Sequence, residues 1–89
     1  MNLMADEEIG VVQQYYSNIG VAVIEITKGE LSVGDTIHVN GATTDFTQTV
    51  GSMQIEHDKV ETAKEGDAIG LKVEEHVRQH DKVFKLARD

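Results

Sequence analysis

Two Gly-Asp pairs constrain the fold of this chain more than any other feature of its sequence. Each pair stands directly before an alternating apolar run, at residues 36–40 and 68–73. Glycine adopts the positive φ angle that a tight turn requires, and an aspartate carboxylate can accept a hydrogen bond from the nearby backbone. The two motifs therefore predict turns that lead into strands of a small closed β-barrel. The residues assigned to these turns are Gly29, Gly34, Asp35, Gly66, Asp67 and Gly70.

Six segments of the chain have β-type sequence. Residues 20–27 are dense in β-branched side chains, which favour a strand over a helix. The polar Glu25 sets the outward parity of this segment, so Ala22, Ile24 and Ile26 are expected to point inward. The predicted strands are residues 8–16, 20–27, 36–40, 46–57, 68–73 and 82–86.

The fourth predicted strand, residues 46–57, changes phase along its length. Val50 and Met53 fall on opposite parities of the strand, which predicts a β-bulge between them. A bulged and bent strand is one way in which a small barrel turns a corner. In the first predicted strand the alternation places Ile9 and Val11 on the inward face.

The sequence predicts one domain. Its 89 residues allow a single modest core, and no linker composition or long helix-period segment interrupts them. Residues 58–67 are predicted to form a charged loop with one helical turn. We therefore predict an all-β barrel of six strands over residues 8–87, preceded by a flexible acidic N-terminus at residues 1–7.

Composition excludes several classes of protein. The formal net charge is −8, and a surface this acidic does not bind phosphate backbones through bulk electrostatics. The absence of cysteine excludes a disulfide framework and a thiolate metal site. No apolar run approaches the roughly 20 residues that span a bilayer, and the acidic start of the chain lacks the apolar region of a secretory signal. We therefore expect a soluble cytoplasmic protein.

The sequence contains no recognisable catalytic or cofactor motif. A phosphate-binding loop and a nucleophile elbow are both missing, and the Ser, His and Asp residues show no triad signature. Gly29 and Gly34 precede a predicted strand rather than a helix, which excludes a dinucleotide fingerprint. We therefore predict that the protein is not an enzyme and binds no cofactor.

Two groups of residues raise the alternative of a metal site. His76 and His80 are four residues apart, a spacing that brings zinc ligands together on a helix. Here they fall in a predicted loop without an evident third ligand, so adventitious spacing is preferred. The acidic run between residues 56 and 67 lacks the residue order of a calcium-binding loop, which favours a solvated loop.

Candidate contact residues lie in two places. The C-terminal part of the chain is locally basic, and Arg78, Lys82 and Lys85 either form a solvated outer face or contact RNA or an acidic partner. Residues 43–48 combine hydroxyl groups, an amide and an aromatic ring. Thr44 and Phe46 either belong to a capped turn before the long strand or contribute to a recognition surface at the barrel mouth.

The order of these motifs resembles that of known barrels. The chain resembles domain two of translational GTPases such as elongation factor Tu through Gly29-x-Leu31-x-Val33-Gly34-Asp35, Ala63-x-x-Gly66-Asp67-x-Ile69-Gly70 and Val77-x-x-x-Asp81-x-Val83. It resembles more closely the C-terminal barrel of the collagenase-like peptidase family, members of which act in RNA hydroxylation, through Gly41-x-Thr43-Thr44-Asp45-Phe46-Thr47-Gln48 and Ser52-Met53-Gln54-Ile55-Glu56-His57. The resemblance covers roughly residues 9–86. It implies a six-stranded Greek-key closed barrel of the kind found in stand-alone translation elongation factor-like proteins.

The resemblance implies two functions. The first is a non-catalytic binding module linked to translation or RNA modification, which contacts RNA or a ribonucleoprotein such as tRNA or the ribosome. The second is a protein-interaction module that docks on a separately encoded catalytic subunit, for example a collagenase-like peptidase or RNA hydroxylase, or on itself. An acidic surface with exposed strand edges suits a basic protein partner better than RNA. No membrane partner is predicted.

Overall fold

The computed structural model describes residues 6–86, and every regular element in that range is a β-strand. None of the described residues forms a helix long and apolar enough to cross a membrane. Residues 1–5 of the predicted N-terminal segment and residue 87 of the predicted barrel lie outside the described range. The strands are β1 (Glu7–Tyr16), β2 (Val21–Ile26), β3 (Glu30–Ser32), β4 (Thr36–Asn40), β5 (Asp45–Thr49), β6 (Met53–Ile55), β7 (Asp58–Val60), β8 (Thr62–Lys64), β9 (Ala68–Lys72) and β10 (Lys82–Lys85).

Strand β2 lies in the interior of the sheet and follows the predicted alternation. Ala22, Ile24 and Ile26 are fully buried, whereas Val21, Val23 and Glu25 on the other face are partly exposed. β2 pairs with β1 on one side and with β9 on the other, both antiparallel. Its inward side chains therefore contribute to a core built from both flanking strands.

The strands form one eight-stranded sheet and one two-stranded ladder. The order in the larger sheet is β5-β4-β10-β1-β2-β9-β6-β7, and β3 pairs with β8 in the smaller one. The all-β class is confirmed, but the described residues contain ten strands where six were predicted. β5 and β7 end the larger sheet without pairing to each other, so the sheet forms a half-barrel in this range and the closed six-stranded barrel is not confirmed.

The predicted long fourth strand is two strands. β5 pairs with β4 at one end of the sheet, whereas β6 pairs with β9 and β7 at the other end. Val50 and Met53 are both buried, so the predicted change of phase is confirmed. Its cause is different from the predicted bulge, because the chain leaves one ladder at residue 50 and joins another at Met53.

The segment predicted as a charged loop with a helical turn contains β7 and β8, so that prediction was wrong. Ala63 is fully buried and pairs with Leu31 of β3, which explains why this short segment is extended. Strand β1 also differs from the simple alternation. Its pairing with β10 shifts register between Glu8 and Gly10, so Val12 is buried and Val11 only partly buried.

Three turns share one hydrogen-bonded design. In each turn an aspartate carboxylate accepts a hydrogen bond from the backbone N–H three residues earlier, at 2.8 Å in the first two turns and 2.9 Å in the third. The residue before each aspartate has a positive φ angle, which confirms the prediction for both Gly-Asp pairs. The donor and acceptor pairs are Ser32 N with Asp35 Oδ2, Lys64 N with Asp67 Oδ2, and Arg78 N with Asp81 Oδ2.

The other two glycines assigned to turns, Gly29 and Gly70, differ in their structure. Gly29 has a φ of 69° and lies in the bend before β3, as expected for a turn residue. Gly70 lies inside β9, where it pairs with Val23 of β2 and Gln54 of β6, so its assignment to a turn was wrong.

The core is continuous across both ladders. It consists of the buried side chains Ile9, Val12, Ala22, Ile24, Ile26, Leu31, Ile37, Val39, Phe46, Val50, Met53, Ala63, Ile69, Leu71, Val73, Val77 and Val83.

Candidate docking surface

The outer face of the sheet is apolar where β2 meets β9. Val21 and Val23 point away from the core, and Gly70 of β9 stands opposite Val23. Because Gly70 has no side chain, the surface is depressed at this point, and a Cβ there would lie 3.7 Å from Cγ1 of Val21. The result is a groove of about 350 Å³ with a floor of valine side chains and glycine backbone.

One rim of this groove carries two large exposed side chains. Ile19 is 55% exposed and lies in the turn between β1 and β2, and Tyr16, the last residue of β1, is 45% exposed. The backbone holds the turn in place, since Gly20 N donates to Tyr16 O at 2.8 Å and Ile19 N donates to the same oxygen at 3.2 Å. In the described range the other large apolar side chain with comparable exposure is Val33 at 37%, in a different turn.

The opposite rim is a strained hairpin turn. Glu56 and His57 connect β6 to β7, and their φ angles are 51° and 73°. Two consecutive positive φ angles define the turn type that usually contains Asn-Gly, because other side chains are strained there. Strain of this kind is retained where the surrounding structure imposes it, often at binding sites.

We call this depression the outer groove. It is lined by Tyr16, Ile19, Val21, Val23, Gln54, Glu56, His57, Ala68, Ile69 and Gly70.

The basic residues predicted as contacts have partners within the chain. The contacts are Arg78 Nε to Thr43 Oγ1 at 2.8 Å, Lys82 Nζ to Glu8 Oε2 at 3.4 Å, and Lys85 Nζ to Glu30 O at 3.2 Å and to Asp35 Oδ2 at 3.6 Å. Exposed pairs of this kind contribute little to stability, on the order of 0–1 kcal/mol. Each of the three cations therefore lies beside an acceptor of its own in the chain.

The two candidates from the polar patch are buried. Thr44 is 4% exposed and Phe46 is 9% exposed, and Phe46 belongs to the core. The main-chain oxygen of Thr44 accepts a hydrogen bond from Gly41 N at 2.8 Å, which closes the turn between β4 and β5. Their position fits the capped-turn alternative and argues against a direct contact with a partner.

The two histidines considered as metal ligands have separate surroundings. His76 packs its ring edge-on against Tyr15, with ring centroids 4.6 Å apart, whereas His80 occupies the positive-φ position of the third aspartate turn. Among residues 6–86, no three His, Asp or Glu side chains are grouped so that they could hold a metal ion. Within these residues the structure therefore supplies no third ligand for a metal ion at His76 and His80.

The outer groove was missed at the sequence level. The signal was present in residues 20–27, because the outward positions of that segment include Val21 and Val23 as well as Glu25. A strand with apolar residues on both faces is typical of a strand covered on both sides. The turns that form the rims could not be placed next to it from sequence alone.

Comparisons with known proteins place these features on a known fold. No protein-family model matches the chain. It is 44% identical over 80 residues to an uncharacterized protease of Methanocaldococcus jannaschii, and 40% identical over 79 residues to a collagenase of Porphyromonas gingivalis. These matches include 89% and 88% of this chain but only 19% and 22% of the two relatives. The chain therefore spans about a fifth of the length of the curated relatives that it matches.

The structural comparison covers almost the whole chain. The crystal structure of the C-terminal domain of a Geobacillus thermoleovorans putative U32 peptidase superposes with a TM-score of 0.82 at 18% identity, over 96% of this chain and 97% of that domain. Its selenomethionine variant also gives a TM-score of 0.82, at 20% identity, over 86% of this chain and 96% of that one. The resemblance to the C-terminal barrel of collagenase-like peptidases is confirmed as a matching fold, and the resemblance to elongation factors stays a prediction. The chain has the fold of a U32 peptidase C-terminal domain.

Proposed function

We propose that this chain is a non-catalytic docking module that binds the catalytic part of a collagenase-like peptidase through the outer groove. The observation that carries the proposal is the groove itself, with Ile19 and Tyr16 exposed beside an apolar floor. Large apolar side chains exposed side by side commonly mark a protein interaction site, and aromatic anchors carry much of the binding energy at such sites.

The comparisons with known proteins support the choice of a peptidase as the partner. The relatives named protease and collagenase are about five times as long as the matched segment, so most of each relative lies outside it. A domain with this fold is the C-terminal domain of a putative U32 peptidase. Docking between such a domain and the remainder of such a protein explains why this fold would keep an apolar outer face.

Charge narrows the choice of partner surface. The net charge of −8 favours a partner with a basic rim around an apolar centre, since complementary potentials accelerate association and exclude wrong partners. Glu56 at the edge of the groove fits such a rim. The module itself contributes binding rather than chemistry, because its sequence contains no assembled acid, base and nucleophile.

The finer predictions from the resemblance have less support. A closed Greek-key arrangement like that of elongation factor domain two remains a prediction, as does contact with RNA or a ribonucleoprotein. Arg78, Lys82 and Lys85 each have an acceptor in the chain, and no specific observation favours RNA over a protein partner.

The test uses the archaeal relative from which the matching 80 residues have been deleted. Sedimentation velocity of this protein mixed with the chain is expected to show a one-to-one complex that nuclease treatment leaves intact. The relative's own deleted segment serves as the control that the truncated protein is folded and able to bind.

Two results would overturn the proposal. One is the absence of a complex at about 100 μM of each protein while the control segment binds, since an affinity weaker than about −5.5 kcal/mol is not that of a docking module. The other is a complex that forms only when RNA is present.

A further inference from the structure

Strand β1 has 10 residues, whereas β10, which pairs with one of its edges, has 4. The ladder between β1 and β10 ends at Val11 and Lys82. Two further backbone bonds close it, from Val12 N to Asp81 O and from His80 N to Val12 O, both 2.8 Å. Residues 14–16 continue the strand and pair with β2 alone, and Gln13 is the extra residue at a register shift between Val12 and Gln14.

A non-strand segment runs beside this open edge. Val77 is buried and fixes the segment to the core, and the ring of His76 packs against Tyr15. Within residues 6–86, no backbone hydrogen bond joins residues 13–16 to residues 76–79. The two segments therefore face each other across a cleft rather than forming a ladder.

We call this depression the edge cleft. It has a volume of about 400 Å³ and is lined by Gln13, Gln14, Tyr15, Tyr16, Ser17, His76, Val77, Arg78 and Gln79.

The backbone of an unpaired strand edge selects an extended polypeptide. Its N–H and C=O groups recur at the spacing of a strand, and a second extended chain satisfies them by adding to the sheet. The side chains of Gln13, Gln14 and Gln79 add amide donors and acceptors along the same cleft.

The charge of the edge cleft differs from that of the whole chain. The chain has a net charge of −8, yet no aspartate or glutamate lines the cleft. Arg78 does line it, and its guanidinium is held by the bond from Nε to Thr43 Oγ1 at 2.8 Å. A fixed guanidinium at the end of a strand edge suits a carboxylate on the bound segment.

We propose that the edge cleft binds an extended polypeptide segment that carries a carboxylate, which adds to the sheet as a strand beside β1 and pairs its carboxylate with Arg78. The site is separate from the outer groove, and the two share only Tyr16. A second copy of this chain fits less well because it brings eight more negative charges to the edge. A phosphate polymer fits less well for the same reason, and a single arginine neutralises only one phosphate.

The probe is an N-acetylated hexapeptide that alternates threonine and valine and ends in a free carboxylate. It is titrated into the isotope-labelled chain, and the amide signals are followed by nuclear magnetic resonance. Shifts are expected at residues 13–17 and 76–79, with little change around the hairpin of Glu56 and His57. The amidated peptide is expected to bind about 10-fold more weakly, because the charge-assisted bond to Arg78 is lost.

Two variants separate the contribution of backbone pairing to peptide binding from the contribution of the charge on Arg78. Arg78→Gln should remove the difference between the acid and the amide forms of the peptide while leaving weak binding. Lys28→Gln, which removes a lysine at the far end of the hairpin of β1 and β2, is the matched control and should change nothing.

Three results would overturn the proposal. The first is the absence of shifts at millimolar peptide. The second is equal binding of a peptide in which every amide nitrogen is methylated, since that form has no backbone N–H on either edge to donate to β1. The third is a hexauridylate that shifts the same signals at lower concentration than the peptide does. The failure of the outer groove to bind a peptidase would not affect this result, because the peptide experiment reports on residues 13–17 and 76–79, of which only Tyr16 also lines the outer groove.

Discussion

The third aspartate turn differs from the other two at one residue. Gly34 and Gly66 have φ angles of 98° and 96°, whereas the equivalent position of the third turn is His80 with a φ of 79°. A side chain in this region costs roughly 1–2 kcal/mol relative to the right-handed conformation. The cost is tolerated because the bond of Asp81 to Arg78 N and that of His80 N to Val12 O hold the turn closed.

Replacing His80 by glycine should therefore stabilise the protein. We expect His80→Gly to raise the free energy of unfolding by about 0.5–1 kcal/mol, after the entropic cost of glycine is subtracted from the relieved strain. The measurement is urea denaturation. Gln79→Gly is the matched control, since its φ is not positive and the same change there should lower stability by about 0.5–1 kcal/mol. Equal destabilisation by both variants would show that the His80 backbone is not strained.

The hairpin turn between β4 and β5 lies where its sequence indicates a turn, but glycine is required there for a different reason. Asn40-Gly41 is the residue pair that most often forms a tight hairpin turn with positive φ angles, and the chain does turn there between β4 and β5, but neither residue has a positive φ. Gly41 is needed because a Cβ would lie 2.6 Å from Cγ of Asp81. This contact joins residues 40 positions apart, so no local pattern could predict it.

At the scale of the element, the hairpin of β6 and β7 contains a turn with two consecutive strained residues. Both of its loop residues, Glu56 and His57, have positive φ angles and neither is glycine or asparagine. The hairpin lies beside the outer groove, so its side chains face the surface that we assign to docking. The same residues therefore lower stability and are available to contact a partner.

Two double substitutions separate these effects. Glu56→Asn with His57→Gly should raise the free energy of unfolding by about 1–2 kcal/mol, because this pair suits the turn, and should raise the melting temperature by several degrees. Glu56→Ala with His57→Ala keeps the backbone strain and removes the side chains, so it should not raise stability. Both variants should weaken partner binding to a similar extent if the side chains make the contact. A gain in stability from the alanine pair would contradict the account of strain.

Strand prediction succeeded where alternation was long enough to be informative. β2 and β4 are five to six residues long, and their buried and exposed positions follow the expected parity. β3, β6, β7 and β8 have three residues each, which is too short for a two-residue period to be recognised. In β1 a register shift moved the buried position from Val11 to Val12, and a bulge of this kind depends on the partner strand.

At the scale of the whole molecule, the sheet is assembled from pairings that are distant in sequence. β10 lies between β1 and β4, so the last described strand joins two of the first four. The outer groove likewise combines the turn after β1, the turn after β6 and the middle of β9. The all-β class and the turns at both Gly-Asp pairs could be predicted locally, whereas the groove exists only once these pairings have formed.

The central claim is that the outer groove is the surface that docks on a collagenase-like catalytic part. The most direct measurement is the dissociation constant for the truncated archaeal relative, compared between Ile19→Asp and Val33→Asp. Both substitutions place a carboxylate on an exposed apolar position, and only Ile19 lies at the groove. We expect Ile19→Asp to weaken binding by about 30-fold or more, as for a buried anchor of an interface, while Val33→Asp leaves it within about 2-fold. Equal affinities for the two variants would contradict the assignment of the docking surface.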